Sequence, residues 1–246
     1  MRRRLTACWR LLRVVAHVGA GLWMVALGFP RLSPEQQGVR VQAWSMALLG
    51  CLGIALQVRG PLPLLGPVLL VANHLSWLDI AVMHAARHCR FVSKADVQDW
   101  PLIGTLATAA GTLYIERRVR RDALRVVQQM SEALRERAVL AVFPEGTTGD
   151  GTVLLPFHAN LLQAALDAGA PVQPVGLRFV DAASGAASTA PVYAGDTTLL
   201  NSLWRTACAP PLLAVVHYGA PEQAQGRERR AWSAQLRDTV EHLRTH

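Results

Sequence analysis

Lysine is almost missing from this 246-residue chain: of its 25 basic residues, all but Lys94 are arginine. We read that bias as codon usage, without functional content. Charged side chains amount to 17% against 51% hydrophobic, and the mean hydropathy is +0.22. A disordered chain is thereby excluded. The four cysteines, Cys8, Cys51, Cys89 and Cys208, stand 38 or more residues apart, with no Cys-x-x-Cys pair. This excludes a disulfide-stapled mini-fold, argues against structural zinc, and predicts free thiols in a reducing compartment. No Gly-x-Ser-x-Gly element offers a serine nucleophile. No aromatic residues interleave with the arginines, so nucleic acid is not expected as a partner. Neither is a metal. The length suits one sizeable α/β domain with an appendage.

The net charge of +8 is concentrated at one end. Residues 1–60 carry +7, 61–121 carry +3, 122–180 carry −2, and 181–246 are neutral. Beside Arg2, Arg3, Arg4, Arg10 and Arg13 lie two apolar stretches, 14–30 and 41–58, joined by a ten-residue connector containing Ser33-Pro34-Glu35. Each is at the lower limit for a spanning helix, which needs about 20 apolar residues. A spanning hairpin and a hairpin lying within one leaflet both fit. Either keeps its two ends on one side, and the arginine cluster makes that side cytoplasmic. No small-x-small cleavage site follows, which disfavours a signal peptide. Residues 1–59 are therefore expected to be a membrane anchor of two hydrophobic helices at the cytoplasmic (inner) membrane, with a domain at 60–246.

After Gly60-Pro61-Leu62-Pro63, a natural linker, strand-like and helix-period segments alternate. Residues 68–72 (Val-Leu-Leu-Val-Ala) predict a buried strand and 80–87 a helix. Asp122 reads as the N-cap of a helix carrying Ala123, Val127, Met130 and Leu134 at spacings of three and four. Residues 139–143 form a continuous apolar run, as expected of a strand covered on both faces. A helix over 158–168 is stopped by Gly169, strands follow at 172–179 and 212–218, and Trp232, Leu236, Val240 and Leu243 mark one face of a C-terminal helix. The pattern implies an α/β fold: a mixed, largely parallel sheet flanked by helices, preceded by the N-terminal hydrophobic helical hairpin.

Three blocks carry chemistry. In Asn73-His74-Leu75-Ser76-Trp77-Leu78-Asp79, His and Asp five residues apart would point about 140° apart on one helix. At a strand-to-helix turn they can meet. Asp79 would then accept from His74 Nδ1–H, fixing the tautomer that leaves Nε2 as a base. The same spacing also fits a satisfied polar turn. The second block, Gly111-Thr112-Leu113-Tyr114-Ile115-Glu116-Arg117, is followed by Arg118, Arg120 and Arg121; it fits a phosphate clamp or a solvated basic loop. The third, Phe143-Pro144-Glu145-Gly146-Thr147-Thr148, places a carboxylate and a flexible glycine at a strand end, suiting a ligand or a tight turn.

Together the blocks resemble the glycerolipid acyltransferase family, whose pattern is NHxxxxD, then Gly-x-x-Phe/Tyr-Ile-x-Arg, then Phe-Pro-Glu-Gly-Thr, then a proline-containing strand. All are matched in order, the last at Pro171-Val172-Gln173-Pro174-Val175. Ser93-Lys94-Ala95, with Pro101 and Gly104 downstream, is similar to the family's stretch between the first two blocks. The resemblance implies that His74 is the general base on the acceptor hydroxyl and Asp79 its orienting partner. No acyl-enzyme forms, and coenzyme A or acyl carrier protein leaves as a thiol. Arg117 would bind an acceptor phosphate, and Glu145, Gly146 and Thr147 would shape the acceptor site, with Asn73, Lys94, Gly111 and Pro144 in support. The thioester is a co-substrate, and no cofactor is implied.

The implied partners are the lipid bilayer, a lysolipid acceptor and acyl-CoA or acyl carrier protein. Two departures bear on the acceptor. Thr148-Gly149-Asp150-Gly151 stands where phosphatidate-forming members commonly have Arg-Ser, and resembles branches acylating lyso-ornithine lipids. Pro156-Phe157-His158-Ala159-Asn160 stands where many members have Phe-Lys-x-Gly. Lysophosphatidate is the expected acceptor and lyso-ornithine lipid its alternative. A catalytically silent lipid-binding adaptor is the alternative of another class, and intact His74, Asp79 and Glu145 argue against it. His84, His88, His217, His242 and His246 lack motif partners and are expected to be ordinary surface or core residues.

Overall fold

Two helices open the chain in the computed structural model, which describes residues 2–63, 65–115 and 120–246: α1 (Arg2–Trp23) and α2 (Pro34–Leu52). α2 starts at a capping box: the Ser33 hydroxyl accepts from the Gln36 amide at 3.3 Å while the Gln36 side chain accepts from the Ser33 amide at 3.0 Å. It stops at Gly53, whose φ of +75° makes a left-handed cap that a side chain would strain.

The chain then enters β1 (Ile54–Arg59), the first of seven strands, with β2 (Val68–Ala72), β3 (Arg90–Lys94), β4 (Leu113–Ile115), β5 (Val139–Val142), β6 (Val172–Asp181) and β7 (Leu212–Tyr218). They form one sheet in the order β1-β7-β6-β2-β5-β3-β4, and every pair is parallel except β6–β7. The helices are α3 (Leu78–Ala86), α4 (Ile103–Ala109), α5 (Arg120–Arg135), α6 (Gln163–Ala168), α7 (Leu199–Cys208) and α8 (Arg229–Thr245). α5 begins two residues before Asp122, which therefore lies inside the helix instead of capping it.

Side chains of the central strands alternate between two cores, as the pleat requires. Leu70 and Ala72 of β2 join Leu49, Leu52, Leu78 and Met83 from α2 and α3. Leu69 and Val71 join Met130 and Leu134 of α5, Ala164 and Ala165 of α6, and Trp232 and Leu236 of α8. The sheet is thus covered on both faces, which explains the continuous apolar runs of β2 and β5.

The N-terminal region departs from expectation in two ways. The second apolar stretch, expected to be helical to Val58, is helical only to Leu52. Its last residues form β1, paired with β7 from Ile54↔Leu212 to Arg59↔His217. The sheet therefore starts before the boundary placed at Gly60. α2 is also not a free hydrophobic helix: Leu48, Leu49, Cys51 and Leu52 are buried in the domain core, and the Gln42 amide donates to the carbonyls of Ala85 and Ala86 at the end of α3, both at 3.2 Å. A stretch that reads as lipid-facing is apolar because it covers the sheet.

α1 packs antiparallel on α2. The His17 ring stacks on Trp44, and each side chain meets the other residue's carbonyl, at 2.9 Å from His17 Nε2 and 3.2 Å from Trp44 Nε1. Arg10, expected in a basic surface cluster, is buried. Its guanidinium donates to the Ala207 and Ala209 carbonyls at the end of α7, at 3.0 and 2.7 Å, where a cation complements the helix dipole. Leu5, Trp9, Leu12, Val15, Trp23 and Leu27 of the same helical run remain exposed. The stretch Arg3–Arg31 is long and apolar enough to cross a membrane by length and composition.

Arg10→Met keeps the apolar stem but strands both carbonyls. The expected loss is about 1–3 kcal/mol, read as a lower midpoint in thermal unfolding; an unchanged midpoint would remove the clamp from the account.

Candidate active site

The sheet order places the site. From β2 the chain crosses via α3 on one face to β3, whereas from β5 it crosses via α6 on the other face to β6. The two connections leave for opposite faces of the sheet, the topology that places a site at the carboxyl ends of such strands. The Val71↔Val142 pairing brings Asn73 and His74, which leave β2, beside Phe143 to Glu145, which leave β5.

Asn73 is fully buried and makes two bonds to one residue of β6: its side-chain oxygen accepts from the Leu177 amide at 2.7 Å and its Nδ2 donates to the Leu177 carbonyl at 3.0 Å. It extends the β2–β6 pairing by a side chain and fixes where the loop begins.

His74 Nδ1 lies 2.8 Å from Asp79 Oδ2. The same oxygen accepts the Leu75 amide at 2.6 Å and the Ser76 amide at 2.8 Å. Asp79 is fully buried in the first turn of α3, where the helix dipole adds to the three donors. This arrangement assigns the Nδ1–H tautomer and leaves Nε2 as the basic nitrogen. The imidazole stacks flat on Phe143, with centroids 3.9 Å apart and planes 5° from parallel, and its side chain is 18% exposed. A base held on one edge and one face, with the other edge open to solvent, can take a proton from a bound hydroxyl.

Glu145 is buried and occupied by main chain. Its Oε1 accepts from the His74 amide at 2.7 Å and its Oε2 from the Leu155 amide at 2.9 Å. Burial pushes its pKa up, opposed by those two bonds and by the nearby His74 and Arg244. The His74 carbonyl accepts from Gly149 N at 2.8 Å, so both main-chain groups of His74 are held by the segment after β5. Gly146, at φ +72°, makes the tight turn that a side chain would oppose. Pro144 is buried and its carbonyl accepts from His158 N at 2.8 Å, whereas Thr147 is exposed.

The other residues singled out from sequence are dispersed. Lys94 ends β3 and is exposed, on the same sheet edge as His74 but two strand spacings from β2, about 10 Å. Gly111 precedes the amino end of β4, on the opposite edge; its φ is +81° and its carbonyl accepts from Arg90 Nε at 2.9 Å. It shapes a turn remote from His74. Arg117 lies outside the described residues. Trp77 donates to Ser202 Oγ at 3.2 Å, tying the turn to α7. Buried His84 and half-buried His88 are stacked on each other, and burial pulls their pKa values down to about 3 and about 4, so both are neutral.

Sequence reading missed the groups that hold the loop after β5. Arg244 donates to the Gly151 and Thr152 carbonyls at 2.7 and 3.3 Å, and Arg237 to the Leu154 and Leu155 carbonyls at 2.5 and 3.3 Å. Their spacing of seven residues, two helical turns, was the available signal.

Glu145→Gln turns an NH2 donor toward one of the two amides that the carboxyl oxygens accept and should cost about 1–3 kcal/mol. Because burial raises the Glu145 pKa, its ionisation opposes folding. That penalty is absent below the ordinary carboxylate pKa and grows as pH rises through the raised one. The stability gap between wild type and Glu145→Gln should therefore be wider at pH 4 than at pH 8 in denaturant titrations, and a gap that widens with pH would contradict this.

The chain is similar to known acyltransferases. Residues 55–178 match the Acyltransferase family model. A 1-acyl-sn-glycerol-3-phosphate acyltransferase of Neisseria gonorrhoeae is 35% identical over 209 residues, 84% of this chain and 81% of that protein. A lyso-ornithine lipid O-acyltransferase of Pseudomonas aeruginosa is 35% identical over 96% of this chain and 93% of its own length. The crystal structure of the 1-acyl-sn-glycerophosphate acyltransferase PlsC of Thermotoga maritima superposes with a TM-score of 0.70 at 18% identity, covering all of this chain and 97% of that one, which places the fold. On the family model and the relatives, this chain belongs to the glycerolipid acyltransferase family.

Proposed function

We propose that the chain transfers a fatty acyl group from acyl-CoA or acyl carrier protein to the hydroxyl of a lysolipid, with 1-acyl-sn-glycerol-3-phosphate as acceptor and phosphatidic acid as product. The observation that carries this reading is the 2.8 Å contact between His74 Nδ1 and buried Asp79 at the carboxyl ends of the central strands. His74 Nε2 takes the proton of the acceptor hydroxyl as its oxygen attacks the thioester carbonyl. The tetrahedral intermediate then collapses, the C–S bond breaks, and the thiol leaves with the proton from the imidazolium. Asp79 stabilises that imidazolium. Glu145 acts by fixing the His74 main chain, and Arg117 is assigned to the acceptor phosphate. No metal or further cofactor enters the scheme.

Both substrates are amphiphilic, so we place the enzyme at the cytoplasmic face of the inner membrane. The exposed apolar side of α1 would enter the lipid, and the arginines at its start would face anionic headgroups.

A second acceptor, lyso-ornithine lipid, is favoured by one feature. The loop that bonds the His74 carbonyl continues into exposed Asp150, whose carboxylate accepts from the hydroxyl and amide of Thr152, lowering its pKa. An anion there suits a headgroup bearing an ammonium group.

Purified full-length protein with acyl-CoA and lysophosphatidate should release free thiol, and His74→Ala should slow this roughly 10²–10⁴-fold while remaining folded by circular dichroism. Undiminished release would end the mechanism. In a side-by-side acceptor panel, turnover of lyso-ornithine lipid but not lysophosphatidate would reassign the substrate.

A further inference from the structure

We propose that Arg244 of the C-terminal helix is a positioning residue for the catalytic base, acting through the loop 149–155. The inference rests on His74 being that base.

Both main-chain hydrogen bonds of His74 depend on this loop. Gly149 N donates to its carbonyl at 2.8 Å. Glu145, which accepts the His74 amide, has its second oxygen bound by Leu155 N at 2.9 Å. Between these two anchor points the loop has no regular secondary structure. Its carbonyls are held from α8: Gly151 and Thr152 by Arg244, Leu154 and Leu155 by Arg237.

Arg244 is itself fixed. Its Nε and Nη2 form a fork with both oxygens of Glu241, each at 2.8 Å, and its side chain is only 9% exposed. One guanidinium thus joins a carboxylate on its own helix to two carbonyls of the loop, an arrangement an ammonium cannot reproduce.

The sheet in turn fixes the end of α8. A Cβ on Gly176 of β6 would lie 2.5 Å from the Arg244 main-chain nitrogen, so glycine there permits the close approach. Arg178 of β6 donates to the Thr245 and His246 carbonyls, both at 3.0 Å, and Arg59 of β1 to the His246 carbonyl at 2.7 Å. Cations at the end of a helix are favourable for its dipole. A rigid path therefore runs from β6 through α8 and Arg244 to the loop, and from the loop to His74.

Displacement of a general base by about an ångström costs up to roughly 100-fold in rate. Steady-state kinetics of full-length wild type, Arg244→Gln, Arg244→Lys, Arg229→Ala and His74→Ala, with acyl-CoA and lysophosphatidate, test the proposal. Arg229 lies on the same helix but bonds Gln163 instead of the loop, so it controls for general weakening of α8. The expected result is a roughly tenfold lower kcat for Arg244→Gln, with KM for both substrates within about twofold, partial recovery in Arg244→Lys, and near-normal kcat in Arg229→Ala. If Arg244→Gln does not fold, the same kcat-against-KM comparison is read from Arg244→Lys. Unchanged kcat, a change confined to KM, or an equal loss in Arg229→Ala would overturn the proposal. An active His74→Ala would overturn the assignment of the base instead, which separates the two failures.

Discussion

One oxygen atom organises this site. Asp79 Oδ2 accepts from the Leu75 and Ser76 amides and from the His74 ring, so the same atom shapes the turn between β2 and α3 and aims the imidazole. A fully buried carboxylate is expensive unless donors surround it, and here three converge at the start of a helix. The turn cannot relax without stranding that charge. The orientation of the His74 ring is therefore tied to the stability of the fold.

The second constraint is that His74 is held by its main chain from outside its own segment. Glu145 and Gly149, both after β5, bond its amide and its carbonyl, while Phe143 supports the ring face. A motif glutamate that sequence logic directs toward a substrate is here directed toward the backbone of His74. This follows from strand order: β2 and β5 are parallel neighbours with matched ends, so a carboxylate three residues beyond β5 reaches an amide two residues beyond β2.

The legible parts of the chain were those whose physics is local. The runs at 68–72 and 212–218 read as strands because continuous apolar sequence needs cover on both faces, and they are β2 and β7. The meeting of His74 and Asp79 could be anticipated because a strand-to-helix turn is the geometry that lets this spacing close. The hydrophobic second stretch misled because burial against a sheet and burial in lipid impose the same composition. Leu49 and Leu52 are apolar in either setting, and only the contacts with α3 and the pairing of β1 with β7 distinguish them. Arg10 misled for a related reason, since a charge count cannot tell a solvated arginine from one capping the carbonyl end of α7.

Sequence alone determined the alternation of strands and helices, the dyad and the family blocks, because each depends on residues within a few positions of one another. Tertiary structure decided what those residues face. Asn73 bonds Leu177, 104 positions away; Arg244 bonds Gly151, 93 positions away; and Gly111, inside a family block, lies on the opposite edge of the sheet. Such pairings follow from strand order and helix docking, which hydrogen bonds between distant segments fix and no local pattern encodes.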